Sequence, residues 1–334
     1  MTSQAWRLLH ATSRSFYLSL RALPRQVRNP IGLAYLLARS TDTVADTQGL
    51  PVSERLQTLR RMGDQIQGRQ PPSELPLPPG LLTEAPSPER QLLLHWPRTL
   101  VLLERLEPHD RTEVRSVLAR ILEGQQADLV RFGAISSGTA VEALPTAADL
   151  EHYAYCVAGC VGEFWTRVCQ RHLFPRVAWE QTAVLHRAVE FGKGLQLVNI
   201  LRDLAADLRQ GRCYLPREQL QALDLSPADL LQPDTWDRLR PCYERWRQRS
   251  LKGLEEGWQY TLVLPRAQVR LRLACAWPLL IGARTLAALQ HSNPLDPAQR
   301  VKIPRAEVRT WITRTVLLYP WPSAWARLFA KARR

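Results

Sequence analysis

The stretch Tyr35-Leu-Leu-Ala-Arg39-Ser-Thr-Asp42-Thr-Val-Ala-Asp46 decides how this chain is read. Its polar residues step by four, three and four positions, which on a helix makes one stripe. A tyrosine, an arginine and two carboxylates then project into the same space, while Leu36, Leu37 and Val44 lie on the other face. A second stripe stands far along the chain, in Gln196-Leu-Val-Asn199-Ile-Leu-Arg202-Asp203-Leu-Ala-Ala-Asp207. There Gln196, Asn199, Asp203 and Asp207 share a face and Arg202 flanks it. Leu197, Val198, Ile200 and Leu201 are left to pack against other helices.

One stripe of Asp and Arg is equally well a solvated face with weak ion pairs. Two stripes that interrupt otherwise apolar segments shift that balance. Four carboxylates aimed into one cavity repel unless cations sit between them. Hard oxygen ligands select Mg²⁺, which keeps waters and takes substrate phosphates into its octahedron. Neither stripe contains histidine, so zinc and iron are not expected. The candidate metal ligands are Asp42, Asp46, Asp203 and Asp207.

Outward from the stripes, apolar residues recur at helical spacing almost throughout, and period-two alternation is nearly absent. The chain is therefore predicted to be all-α, with helices near 3–21, 28–47, 51–67, 89–105, 110–132, 147–172, 178–209, 236–260, 264–289, 304–318 and 322–333. Hydrophobic residues make up 45% of 334, enough for a sizeable core and against global disorder. Seven prolines between 71 and 88 mark an exposed loop rather than a domain boundary, because the helical pattern continues on both sides.

The net charge of +14 directs the chain toward polyanionic partners. The arginines are scattered over helices, without a dense basic block or a nucleic-acid-binding signature, so no nucleic-acid partner is expected. The six cysteines show neither a C-x-x-C pair nor zinc spacing. They read as buried thiols in a reducing cytoplasm. No signal-peptide core is read at the N-terminus. The longest apolar stretch, Leu273 to Ala283, contains Pro278 and is short for a bilayer. No transmembrane helix is expected, and the location is read as cytoplasmic.

Arg14, in Ser13-Arg14-Ser15-Phe16, joins Arg39, Arg202 and Arg212 as a candidate ligand for phosphate oxygens, which match a guanidinium fork. For any one of them surface solvation is the default alternative. Gly211 permits a turn through which Arg212 folds back over the second stripe. In Tyr153-Ala-Tyr-Cys-Val-Ala-Gly-Cys-Val-Gly162 the small residues at 158, 159, 160 and 162 allow close approach to the backbone. Gly192-Lys193-Gly194 lacks the spacing and the Ser/Thr of a P-loop, and no dinucleotide fingerprint occurs. Near the end, Trp311, Tyr319, Trp321, Trp325 and Phe329 alternate with Arg314, Arg327, Lys331, Arg333 and Arg334. That mixture suits peripheral contact with the headgroups of a membrane's inner face, and a final core helix with a charged outer face is the equal alternative.

Taken together, these residues resemble the squalene/phytoene synthase family of head-to-head prenyl synthases. The resemblance rests on Ser13-Arg14-Ser15-Phe16, Asp42 to Asp46, Tyr153 with Val157-Ala158-Gly159, and Gln196 to Asp203, and it runs over most of the chain. It implies a single isoprenoid-synthase domain over 1–334, a helical bundle with a central apolar cavity. It implies that two farnesyl diphosphates are joined into a C30 product through presqualene diphosphate, with Mg²⁺ on the two aspartate pairs. Ser13, Arg14, Phe16, Arg39, Gln196, Arg202 and Arg212 then surround the substrates. Tyr153 is the catalytic tyrosine at the polar end of an isoprenoid wall, and the Tyr35 ring faces a cation.

Cys275-Ala276-Trp277-Pro278 and Val301-Lys302-Ile303-Pro304-Arg305 resemble squalene synthase in particular. They imply NADPH near Lys302, Arg305 and Asn199, with Asn199 also close to Mg²⁺. Ala45 and Ala206 stand where such synthases often carry glutamate, and Pro304 where a second basic residue is usual. Phytoene, dehydrosqualene and presqualene diphosphate synthases are the alternatives within the family. A non-catalytic helical module that binds prenyl diphosphates is the alternative outside it. A monomer is the expected state.

Overall fold

Helical periodicity becomes helix almost everywhere. The computed structural model describes residues 3–13, 16–47, 50–75, 87–135 and 140–334, with Ser3 and Phe16 described by backbone alone. Arg14 and Ser15, and residues 76–86 of the proline-rich stretch, lie outside the described residues. In chain order come α1 (Ser3–Thr12), α2 (Phe16–Ala22), α3 (Arg25–Asp46), α4 (Val52–Ile66), α5 (Pro88–Leu94), α6 (Trp96–Glu104) and α7 (Pro108–Phe132). Next are β1 (Glu142–Ala143), α8 (Ala147–Ala154), a π-helical turn (Tyr155–Gly159) and α9 (Cys160–Leu173). Then follow α10 (Gln181–Arg202), α11 (Leu204–Arg209), β2 (Arg212–Cys213) and α12 (Arg217–Gln221). The last are α13 (Trp236–Val263), α14 (Val269–Leu289), α15 (Arg305–Leu317), α16 (Pro322–Ala326) and α17 (Leu328–Ala332). The all-α expectation holds. The one ladder among the described residues, β1 parallel to β2, is two residues long and was not predicted.

Two compact units form: Met1–Ala134 with Phe164–Val177, and Ile135–Glu163 with Ala178–Arg334. In the first, α3 packs on α7, α4 and α6. Leu33, Leu36, Leu37 and Val44 are buried, as the stripe argument requires. Ser40, Thr41 and Thr43 are buried too, and each hydroxyl donates to a carbonyl of its own helix, at Leu36, Ala38 and Arg39. That satisfies groups whose burial is otherwise costly. Ser87 caps α5 by accepting from the Arg90 amide at 3.1 Å, with Pro88 in the first turn.

In the second unit α10 and α13 approach through small residues. The Ser250 hydroxyl donates to the Gly194 carbonyl at 2.9 Å, and a methyl group at Gly253 would fall 2.7 Å from the Glu190 oxygen. A capping box of Thr146 and Asp149 starts α8. Helix α14 extends past the apolar stretch read from the sequence. At 21 residues, with an 18-residue window of mean hydropathy 1.2, it is long and apolar enough to cross a membrane, but 67% of that window is buried in the protein. It is a core helix here. Trp311, Trp325 and Phe329 are buried as well. Trp258 stacks on Trp325 at 4.8 Å and donates to the Ala326 carbonyl at 3.0 Å. For these three aromatics the final-core-helix alternative is the one the structure bears out.

Candidate active site

From Pro30 to the end of α3 the residues that escape burial are Tyr35, Ala38, Arg39, Asp42, Ala45 and Asp46. The first stripe therefore exists as one open face on the otherwise buried stretch of α3 from Pro30 onward. Arg39 forms a short ion pair with Asp42, and its other amino group lies 3.4 Å from Glu89 on α5. Burial pulls the Arg39 pKa down, but Asp42 outweighs it by charge and hydrogen bond and leaves it above its usual value. The Arg39 Nε is buried with no hydrogen-bond partner among the described residues. Such an orphaned donor suits an anionic oxygen. The Tyr35 hydroxyl donates to the Thr12 carbonyl at 3.3 Å, tying α3 to the end of α1. Ser13 is buried, and its hydroxyl donates to the Leu9 carbonyl. Arg55, unremarked in the sequence, donates to the Ala45 carbonyl at 2.9 Å and to the Gly133 carbonyl at 3.3 Å. It holds the C-terminal end of α3, where Asp46 stands.

The second stripe also exists, with a change. The predicted continuous helix 178–209 bends at Asp203, whose φ of −97° and ψ of 9° separate α10 from α11. The spacing survives, because the Asp203 amide still reaches the Asn199 carbonyl at 2.9 Å and the Asp207 amide reaches the Asp203 carbonyl at 3.0 Å. Arg202 grips Asp203 with two nitrogens, Nε at 3.1 Å and a closer Nη2. Asn199 is exposed and Gln196 half-buried. Gly211 takes the positive φ of 78° that the turn requires. Arg212 then enters the ladder opposite Glu142, so its backbone is held by pairing.

Arg300 was missed. Its Nη2 lies 3.7 Å from Asp203 Oδ1, which brings the segment ahead of Lys302 to the second stripe. Lys302 and Arg305 are exposed.

Tyr153 lies on α8, just before the π turn, and π turns interrupt helices most often at functional positions. Its ring stacks on Tyr214 at 4.8 Å between centroids, and its hydroxyl donates to the Tyr214 hydroxyl at 3.4 Å. Tyr214 is buried and was not singled out by the sequence reading. The small-residue stretch is a packing device on the side that meets α10. A methyl at Gly162 would fall 2.0 Å from the Ala188 oxygen, and one at Gly192 would fall 2.2 Å from the Ala158 oxygen. Between these contacts Lys193 pairs with Glu151 and, at 3.3 Å, with Glu190. Arg249 of α13 meets Glu151 through two bonds of 2.6 and 2.9 Å, and Glu190 at 2.8 Å. Burial pushes the Glu151 pKa up, but the bonds from Arg249 and Lys193 prevail and hold it below the usual carboxylate range. Gly-Lys-Gly thus serves helix packing and a balanced ion cluster that fixes α8, and with it Tyr153.

The fold and these oxygen-rich stripes define the class: an all-α protein of the isoprenoid-synthase type. The model of the squalene/phytoene synthase family matches residues 9–307, and the chain belongs to that family. The squalene synthase of Schizosaccharomyces pombe is 26% identical over 94% of this chain and 65% of its own length. The bifunctional lycopene cyclase/phytoene synthase of Blakeslea trispora is 30% identical over 65% of this chain and 33% of its own length. Among solved structures, TcSQS in complex with the ligand E5700 superposes with a TM-score of 0.75 at 19% identity, covering 98% of this chain and 97% of that one. A ligand-bound dehydrosqualene synthase gives 0.64 at 20% identity, covering 95% and 96%. At such identities these superpositions establish the fold alone. The chain spans 64–65% of the length of the squalene synthases of Schizosaccharomyces pombe and Cyberlindnera jadinii.

Proposed function

We propose that the chain is a prenyltransferase that joins two farnesyl diphosphates head to head, through presqualene diphosphate, and reduces the product to squalene. The carrying observation is the family match over 9–307 on a chain that keeps both carboxylate stripes. Asp42, Asp46, Asp203 and Asp207 would hold Mg²⁺, with Asn199 adjacent. The donor set fits, being hard oxygens without sulfur or imidazole. When bound, the metal supplies positive charge to the leaving diphosphate. Arg39, Arg202 and Arg212 bind diphosphate oxygens and stabilise the charge that develops there. The orphaned Nε of Arg39 supports that role. Tyr153, braced by Tyr214, orients the departing group or, as a phenolate, receives a proton at its oxygen. The chemistry requires a site that excludes water, which would trap a carbocation as an alcohol.

When bound, NADPH would supply the hydride of the reductive step. The exposed cations Lys302 and Arg305, with Arg300 ahead of them, fit its phosphates. The phytoene synthase relative favours a second reading, the same chemistry on a C20 diphosphate. Product analysis with farnesyl diphosphate and Mg²⁺, with and without NADPH, tests the proposal. Squalene is expected with NADPH and dehydrosqualene without it. Dehydrosqualene alone under both conditions removes the reductive step. Asp42→Asn and Asp203→Asn should each abolish turnover while leaving the circular dichroism spectrum unchanged, and full activity in either variant overturns the metal assignment.

A further inference from the structure

Glu89 was not among the residues that the sequence marked, yet it reaches the first stripe. It lies in the first turn of α5, and its Oε1 is 3.4 Å from Nη2 of Arg39. Asp42 takes Nη1 of the same guanidinium. Each amino group of Arg39 therefore meets one carboxylate, and Nε is left with no hydrogen-bond partner among the described residues.

The two carboxylates differ in what else they are placed to do. Asp42 stands on α3 itself, three residues from Arg39, and belongs to the pair read as metal ligands. A carboxylate that ligates a cation has less charge to lend to a guanidinium. Glu89 lies outside that pair, and Arg39 is its one ion-pair partner among the described residues. It is also carried on a well-anchored element. Ser87 caps α5 at the Arg90 amide, Leu92 and Leu93 are buried, and α5 packs on both α1 and α3. An arginine side chain has much rotamer freedom to lose. A second anchor on a separate helix fixes the direction of the guanidinium where Asp42 alone leaves it free to swing.

We propose that Glu89 is a positioning residue, which through Nη2 of Arg39 holds that guanidinium on the first stripe ready for diphosphate oxygens. The proposal rests on the reading of Arg39 as a diphosphate ligand given above. Charge and position predict opposite outcomes. Removing a carboxylate beside an anion site should by charge alone tighten the binding of diphosphate, whereas losing the anchor of Arg39 should loosen it.

Titration calorimetry of the full chain with inorganic diphosphate and Mg²⁺ reads the difference. Glu89→Gln should weaken binding about threefold to tenfold. Glu89→Ala, which keeps no acceptor for Nη2, should lose at least as much. In an Arg39→Gln background neither change should weaken binding further, because the group they act through is gone. The Glu89 side chain is 37% exposed, so both variants should melt with the parent. Unchanged or tighter binding by both Glu89 variants overturns the proposal. An equal loss in the Arg39→Gln background overturns it too, since Glu89 would then act without Arg39. A parent that binds no inorganic diphosphate, or an Arg39→Gln protein that binds it as the parent does, refutes Arg39 as a diphosphate ligand and this proposal with it.

Discussion

Replacing Gly162 by alanine sets two known effects against each other. A helical alanine is favoured over glycine by about 1 kcal/mol. At Gly162 the added methyl meets the Ala188 carbonyl, 2.0 Å from its oxygen and 2.4 Å from its carbon. Backbone atoms cannot rotate away, so α9 and α10 must part by about 1 Å, an overpacking of about 1–3 kcal/mol. Gly282 on α14 provides the control. Its methyl would lie 3.2 Å from the tip of Leu254 and 3.5 Å from that of Leu195, both mobile side-chain ends. There the propensity gain prevails. With about 2–4 °C per kcal/mol for a unit of this size, Gly162→Ala should melt several degrees below the parent, and Gly282→Ala level with it or slightly above. Displacing the segment that carries Tyr153 should also lower kcat, by up to about 100-fold for a shift near 1 Å. Calorimetry and a diphosphate-release assay read both. A Gly162→Ala protein as stable as Gly282→Ala refutes the packing argument.

Three further outcomes follow from the same geometry. Because Glu151 is held below its ordinary value of 4.5, its contribution is full above that pH and is lost as pH falls through the lowered value. The melting difference between the parent and Glu151→Gln should therefore be largest at neutral pH and vanish in strong acid, and a constant difference contradicts the ion cluster. All six cysteines are buried, and burial pushes Cys160 and Cys213 up to about 12 and Cys242 to about 11. A thiol reagent near neutral pH should label none in the native protein and all six after unfolding, and fast native labelling would count against that burial. Tyr214→Phe keeps the ring stack and should retain most turnover, whereas Tyr214→Leu should lower kcat about tenfold or more. Equal kcat values for the two variants would remove the stack from the account of Tyr153.

Much of the candidate site is legible in one dimension because helical period fixes which residues share a face. Tyr35, Arg39, Asp42 and Asp46 emerge on the open side of α3 for that reason alone. The same logic carries Asn199, Asp203 and Asp207 through the bend at Asp203, since the four-residue hydrogen bonds persist across it. The bend itself has no glycine or proline to announce it. The π turn at Tyr155–Gly159 contains Gly159, but a glycine alone does not announce a π turn.

What the amino-acid order determined by itself, then, is the all-α class, the two carboxylate stripes and the family resemblance. Each depends on local spacing or on short motifs. The tertiary structure decided who stands beside those residues. Tyr214 reaches Tyr153 from 61 residues away, and Arg249 reaches Glu151 from 98. Arg300 arrives at Asp203 from the far side of two long helices, α13 and α14, in sequence. It also sorted the C-terminal aromatics, sending Trp325 into the core and leaving Trp321 outside. Such contacts depend on how separate helices pack, and no local periodicity encodes which turns of two distant helices will meet.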